Sequence, residues 1–172
     1  NVLKKLAGLT SLGLVCFALV VGQVSAGGHA KIKAAIKGVD GQDHGVVEFY
    51  TVPGGVLMDV QLRGLPPGEH AFHVHSKGSC TPDFKAAGGH FNPEGVEHGL
   101  GVGRHAGTNP NIHVPDNGSL RIGILNTEVS WDSGSKNDIS NVAIIIHAKG
   151  DDYQSQPSGA AGPRIACGVI GG

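Results

Sequence analysis

His70-Ala-Phe-His-Val-His75 is the stretch from which the rest of the chain can be read. Successive side chains of a β-strand point to opposite faces, so His73 and His75 project together while Phe72 and Val74 point the other way, into a core. One face of this strand is apolar and the other carries two imidazoles at fixed spacing. Such a pair forms a clamp of nitrogen ligands, of the kind Zn, Cu, Fe and Ni accept. The segment therefore predicts a β-fold with a metal site on the face turned away from the core.

Working outward, the neighbouring segments have the same period. On the N-terminal side, His29 to Gly38, Gly45 to Val52 and Val56 to Leu62 alternate, Pro53-Gly54-Gly55 is a hairpin turn, and Leu65-Pro66-Pro67-Gly68 leads into the histidine strand. On the C-terminal side the period stops from Ser76 to Pro110, with no strand or helix pattern, and this long loop holds His90, His98 and His105. Ile112 to Val114, the turn Asp116-Asn117-Gly118 and Ser119 to Leu125 read as a hairpin. A polar connection from Asn126 to Asn141 contains Trp131, and Val142 to His147 is a buried strand ending in a histidine. A second loop, Ala148 to Pro163, precedes the last strand, Arg164 to Ile170. The sum is an all-β, antiparallel sandwich or barrel.

The first 26 residues stand outside that pattern. Lys4 and Lys5 precede an uncharged apolar run, Leu6 to Val21, and Val24-Ser25-Ala26 has the small-residue signature of a cleavage site. Residues 1–26 are thus expected to be a secretory signal, the run being short for a membrane anchor, and residues 27–172 one domain. That domain carries 11 basic and 14 acidic side chains, a net charge of −3, which gives no footing for nucleic acid. Its two cysteines, Cys80 and Cys167, read as a disulfide in an oxidising compartment, since there is no Cys-x-x-Cys to bind a metal. Cleavage after Ala26 would also leave Gly27-Gly28-His29 as the terminus. Its amine, two amide nitrogens and imidazole form a planar set suited to Cu(II) or Ni(II).

Six of the ten histidines lie in segments that resemble the copper/zinc superoxide dismutases, of the secreted bacterial type. The matching segments are Ala71-Phe-His-Val-His75, Gly88-Gly-His-Phe-Asn-Pro93, Glu97-His-Gly99, Arg104-His-Ala-Gly107, His147-Ala-Lys-Gly-Asp-Asp-Tyr153 and Gly159-Ala-Ala-Gly-Pro-Arg-Ile-Ala-Cys-Gly-Val-Ile170. The resemblance implies an eight-stranded Greek-key barrel or sandwich with two long functional loops. It also implies copper on His73, His75, His90 and His147, with His90 bridging to zinc, and zinc on His98 and His105 as well. Asp151 would hydrogen-bond one ligand of each metal, His73 and His98, and Arg164 would guide a small anion to copper. His90 and Arg164 would be the catalytic pair. The implied reaction converts superoxide to oxygen and hydrogen peroxide, in a secreted or periplasmic protein with no membrane contact after cleavage. Monomer and homodimer both remain open.

Two positions depart from the family. Its fourth zinc ligand is an aspartate three residues after the last zinc histidine, where this chain has Thr108. Ala160 stands where Gly or Asn is more usual. A copper-buffering module with the same ligands is the alternative function, and Arg164 argues against it because storage needs no anion guide. His44, His70 and His113 read as surface or strand histidines without metal, and so does His29 if the cut falls elsewhere than after Ala26.

Overall fold

The computed structural model describes residues 32–131 and 133–172, so the expected leader and Gly27-Gly28-His29 lie outside the described residues. Three strands, β1 (Ile32–Gly38), β2 (Asp43–Val52) and β3 (Gly55–Leu62), form an antiparallel meander. Their alternation sends Ala34, Ile36, Val47, Phe49, Val56, Met58, Val60 and Leu62 into one core. The histidine segment follows as β4 (Gly68–His70) and β5 (Phe72–His75), then β6 (Ile112–Val114), β7 (Leu120–Asn126), β8 (Ala143–His147) and β9 (Arg164–Val169).

Every pairing is antiparallel, in the order β5-β8-β9-β1-β2-β3-β7, with β4 on β6 as a separate pair. Only Ala71 separates β4 from β5, and there the chain passes from one sheet to the other, so the eight expected strand segments form nine strands. Pairs such as β5 with β8 and β3 with β7 skip sequence neighbours, as Greek-key connections do. The curled sheet encloses one core, to which β5 contributes Phe72 and Val74, β6 contributes Ile112 and Val114, and β8 contributes Ile144 and Ile146. Among the described residues no helix is long and apolar enough to cross a membrane.

Two expectations are corrected. Ile112–Val114 and the strand after the Asp116-Asn117-Gly118 turn are not a hairpin: β6 pairs with β4, and β7 pairs with β3. The turn is tight, with Gly118 N–H bonded to Pro115 O at 2.8 Å. However, β7 finds a full ladder of partners from Val56 to Leu62 on β3, which a three-residue β6 does not offer. The Ser76 to Pro110 loop also contains a short 3₁₀ helix, Phe84–Ala87, capped by Asp83 Oδ1 accepting from Lys85 N–H at 2.8 Å. One turn is too short to leave a periodic signal.

This loop covers the outer face of β8 and β9. All five residues of β8 are buried: Ile144 and Ile146 face the core, while Ala143 and Ile145 pack outward with Cys167, Ala87, Cys80 and Phe84. A Cys80–Cys167 disulfide ties the loop to β9. Closing a loop of this length stabilises a fold by about 2–4 kcal/mol.

Candidate metal centre

The pleat of β5 puts His73 and His75 on the covered outer face, and β8, paired with β5, brings His147 to the same place. His90 joins them from the loop, held by a bridge to His75. Ligand nitrogens of His73, His75, His90 and His147 all lie within 4.8 Å of one another. Hydrogen bonds at the far edge of three of these rings fix which nitrogen faces inward. His73 Nε2–H donates to Asp151 Oδ2 at 2.8 Å, His75 Nδ1–H to Gly88 O at 2.9 Å and His147 Nδ1–H to Gly162 O at 3.1 Å. A neutral imidazole that donates from one nitrogen keeps a lone pair on the other. Those others, His73 Nδ1, His75 Nε2 and His147 Nε2, are buried without a partner, and so is His90 Nε2. Buried polar atoms are seldom left unpaired, and four that converge fit a metal ion that binds imidazole.

A second group, His90, His98 and His105, shares His90 and is equally close-set. His90 Nδ1 lies 3.3 Å from His105 Nδ1, while His105 Nε2–H donates to Val96 O at 3.0 Å and His98 Nε2–H to Asp151 Oδ1 at 2.9 Å. Two nitrogens bound at about 2.0 Å to one tetrahedral ion would be roughly 3.3 Å apart, so this spacing fits zinc. At the fourth place stands Thr108, its Oγ1 3.4 Å from His98 Nδ1.

Asp151 joins the groups, one oxygen on His73 and the other on His98, with its side chain fully buried. Burial alone would raise its pKa, but the two imidazole donors and Tyr153 N–H hold it down at about 2. Burial also lowers the basicity of the rings, that of His75 to about 3 and that of His147 to about 4. His90 is lowered further, by burial and then by the neighbouring histidines. These rings are therefore neutral and ready to bind metal at ordinary pH.

Arg164 begins β9 beside the first group. Its guanidinium donates to Phe84 O and, at 2.6 Å, to Gly88 O, the carbonyl that also holds His75. It opens with His75, His90, His105, His147 and Ser158 onto a cleft of about 520 Å³. The structure thus brings together the six histidines of the matching segments, together with Asp151 and Arg164. Of the others, His44, His70 and His113 lie on β2, β4 and β6. His70 is buried, its ring nitrogens 2.7 and 2.8 Å from the carbonyls of His147 and Pro66.

Sequence reasoning missed two positions. A Cβ on Gly159 would lie 1.7 Å from Asp151 Oδ1 and 2.8 Å from His98 Nε2, so only glycine lets the bridging carboxylate sit where it does. Gln156 clasps the backbone of His98, with Oε1 accepting its N–H at 2.8 Å and Nε2 donating to its carbonyl at 3.2 Å. The Gly-rich run around Gly159 was a usable signal, whereas nothing in the sequence marks Gln156.

An antiparallel β-barrel with two histidine groups that share one ring defines a class of paired-metal proteins. Residues 43–170 match the family model described as copper/zinc superoxide dismutase. "Superoxide dismutase [Cu-Zn] 2" of Aquifex aeolicus is 41% identical over 98% of this chain and 99% of its own length. Among solved structures, a SOD-like protein from Bacillus subtilis superposes with a TM-score of 0.75 at 36% identity, covering 83% of this chain and 97% of that one. The Cu/Zn superoxide dismutase from Brucella abortus does so with a TM-score of 0.71 at 29% identity, covering 81% and 99%. The chain belongs to the copper/zinc superoxide dismutase family.

Proposed function

We propose that the protein dismutates superoxide, two anions and two protons giving one oxygen and one hydrogen peroxide. The observation that carries this reading is the convergence of four buried, unpaired imidazole nitrogens beside a guanidinium that opens onto the same cleft. His73 Nδ1, His75 Nε2, His90 Nε2 and His147 Nε2 would hold copper; His90, His98 and His105 would hold zinc through their Nδ1 atoms. Bound copper would supply one-electron exchange between Cu(II) and Cu(I), while zinc, which has no redox chemistry, would fix the position of the shared His90 ring.

The chain's own residues do the rest. Arg164, fixed by two carbonyls, keeps its charge beside the cleft and draws in a small anion. His90 is the ring common to both groups and the one ring of the first with no carbonyl or carboxylate partner, so its Nε2, when not holding copper, would be the nitrogen that takes and returns a proton. Asp151 fixes the tautomers of His73 and His98 together. Residues 1–26 serve as an export signal and the protein works outside the cytoplasm, in the periplasm or beyond it. An intact disulfide suits such a compartment.

Metal analysis and a dismutase assay on the purified chain test the reading. The copper-loaded protein should dismutate superoxide, and Arg164→Ala should slow it by roughly ten-fold or more as steering is lost. A copper-loaded protein with no dismutase activity would instead be a copper-buffering module.

A further inference from the structure

We infer that the His90, His98 and His105 group is an open site, whose fourth ligand is a small inorganic anion taken from solvent rather than a residue of this chain. The inference rests on the assignment of zinc to these three rings. A closed structural zinc site has four protein ligands, whereas three histidines and one external ligand form the donor set of exchangeable, catalytic zinc. Among the described residues no Asp, Glu or Cys joins the three histidines. The neighbouring carboxylate, Asp151, bonds the far edges of His73 and His98 and has both oxygens engaged there.

What stands at the fourth place is the Thr108 hydroxyl. At 3.4 Å from His98 Nδ1 it makes no more than a weak hydrogen bond, and it stays neutral near neutral pH. A hydroxyl in place of a carboxylate leaves a divalent ion with one more unit of positive charge than an aspartate would. An external anion offsets that excess.

The three rings keep their places without a fourth protein ligand. Gln156 holds the His98 backbone at both its N–H and its carbonyl, and Asp151 holds its ring. Val96 O holds the ring of His105, and Asn92 in turn bonds the Val96 carbonyl and N–H at 2.9 and 3.1 Å. Such a frame is organised before any metal arrives. A route exists as well, because His90 and His105 line the same cleft as Arg164, whose charge gathers anions. With His98 only 2% and Thr108 6% exposed, only an anion of very few atoms would reach that place.

Cobalt(II) in the zinc position, with copper kept as Cu(I), reports on this directly, since Cu(I) has no visible d–d bands and those of Co(II) follow its ligand set. Titration of the parent protein with sodium azide should shift the cobalt bands saturably. Thr108→Asp should abolish the shift, and Thr108→Val should retain it. Failure of cobalt to bind, no shift in the parent, an equal shift in Thr108→Asp, or loss of the shift in Thr108→Val would each overturn the inference. A dismutase assay on the parent loaded with copper and zinc tests the proposed function separately, so that failure of one reading is distinguishable from failure of the other.

Discussion

His73, His75 and His147 sit on paired strands, whereas His98 and His105, like the shared His90, come from the loop between β5 and β6. The first three are placed by the backbone ladder of β5 on β8, which exists whatever the side chains are. The loop histidines are placed by bonds from side chains to backbone: Val96 O on one ring, and Gln156 on the peptide groups of the other. A strand-borne group should therefore lose ligands without losing its frame. A loop-borne group depends on its supports more than on its ladder. His90 and Asp151 connect the two, and each prediction below separates or joins the halves.

The largest effect is expected from His147→Ala. It removes one of four nitrogens at the end of β8 but none of the main-chain bonds that pair β8 with β5 and β9. Dismutation by the copper-loaded variant should fall to the uncatalysed level while the far-UV circular dichroism stays that of the parent. A variant verified to hold copper and still working at the parental rate would show that the strand-borne group is not the reaction centre.

Gly159→Ala should damage both halves at once. The new methyl overlaps Asp151 Oδ1, and moving that carboxylate frees the rings of His73 and His98 together. Loss of such an outer hydrogen bond typically costs roughly 10–100-fold in metal affinity. Chelator competition should reveal that loss for copper and zinc alike. Loss of zinc alone would mean that the β5 ladder holds His73 without Asp151.

Acid should test the strand-borne half more gently, and in the metal-free protein. Burial lowers the folded-state pKa of His75 to about 3 and of His147 to about 4, below the ordinary value of 6.5. Between those values the unfolded chain binds more protons than the folded one. Stability therefore rises with pH across the window, being fully present above about 6.5 and lost progressively as pH falls toward 4 and 3. Melting temperatures of the apoprotein from pH 7 to pH 4 should fall along this curve, and His147→Ala should flatten it. An unchanged slope in that variant would mean that His147 is not protonated on unfolding.

The strand half was legible because a pleat alternates strictly: His73 and His75 on one face and Phe72 and Val74 on the other follow from parity alone. From periodicity the loop half was legible only as a set of histidines within a stretch lacking any period, and its assignment to zinc came from the family resemblance. Its supports are the Val96 carbonyl, of a kind that every residue possesses and no side chain announces, and Gln156, which grips the peptide groups of His98. The β6 and β7 pairing was misread for a related reason. A tight turn is a local signal, but the partner of β7 was settled by the longer ladder on β3, which lies far away in sequence.

The smallest effect lies beside Gly159 and should have the opposite sign. Ala160 has φ of 52°, in the left-handed region where a Cβ meets the following carbonyl. An L-residue pays about 1–2 kcal/mol there. The residue is exposed, so its methyl contributes no packing that glycine would lose. Glycine relieves the contact but gives the unfolded chain more freedom, which offsets about 0.4–1 kcal/mol. Ala160→Gly should then stabilise the fold by up to about 1 kcal/mol, a rise of roughly 2–4 °C in melting temperature for a domain of this size. Both metal affinities should stay at parental values, because this side chain is exposed while its neighbour's would collide with Asp151. Two adjacent positions with positive φ, one forbidding a methyl and one merely strained by it, would thus separate steric support of the metal centre from backbone strain in the loop that carries Asp151. A fall in melting temperature for Ala160→Gly would show that the left-handed strain at this position is outweighed by the freedom glycine adds to the unfolded chain.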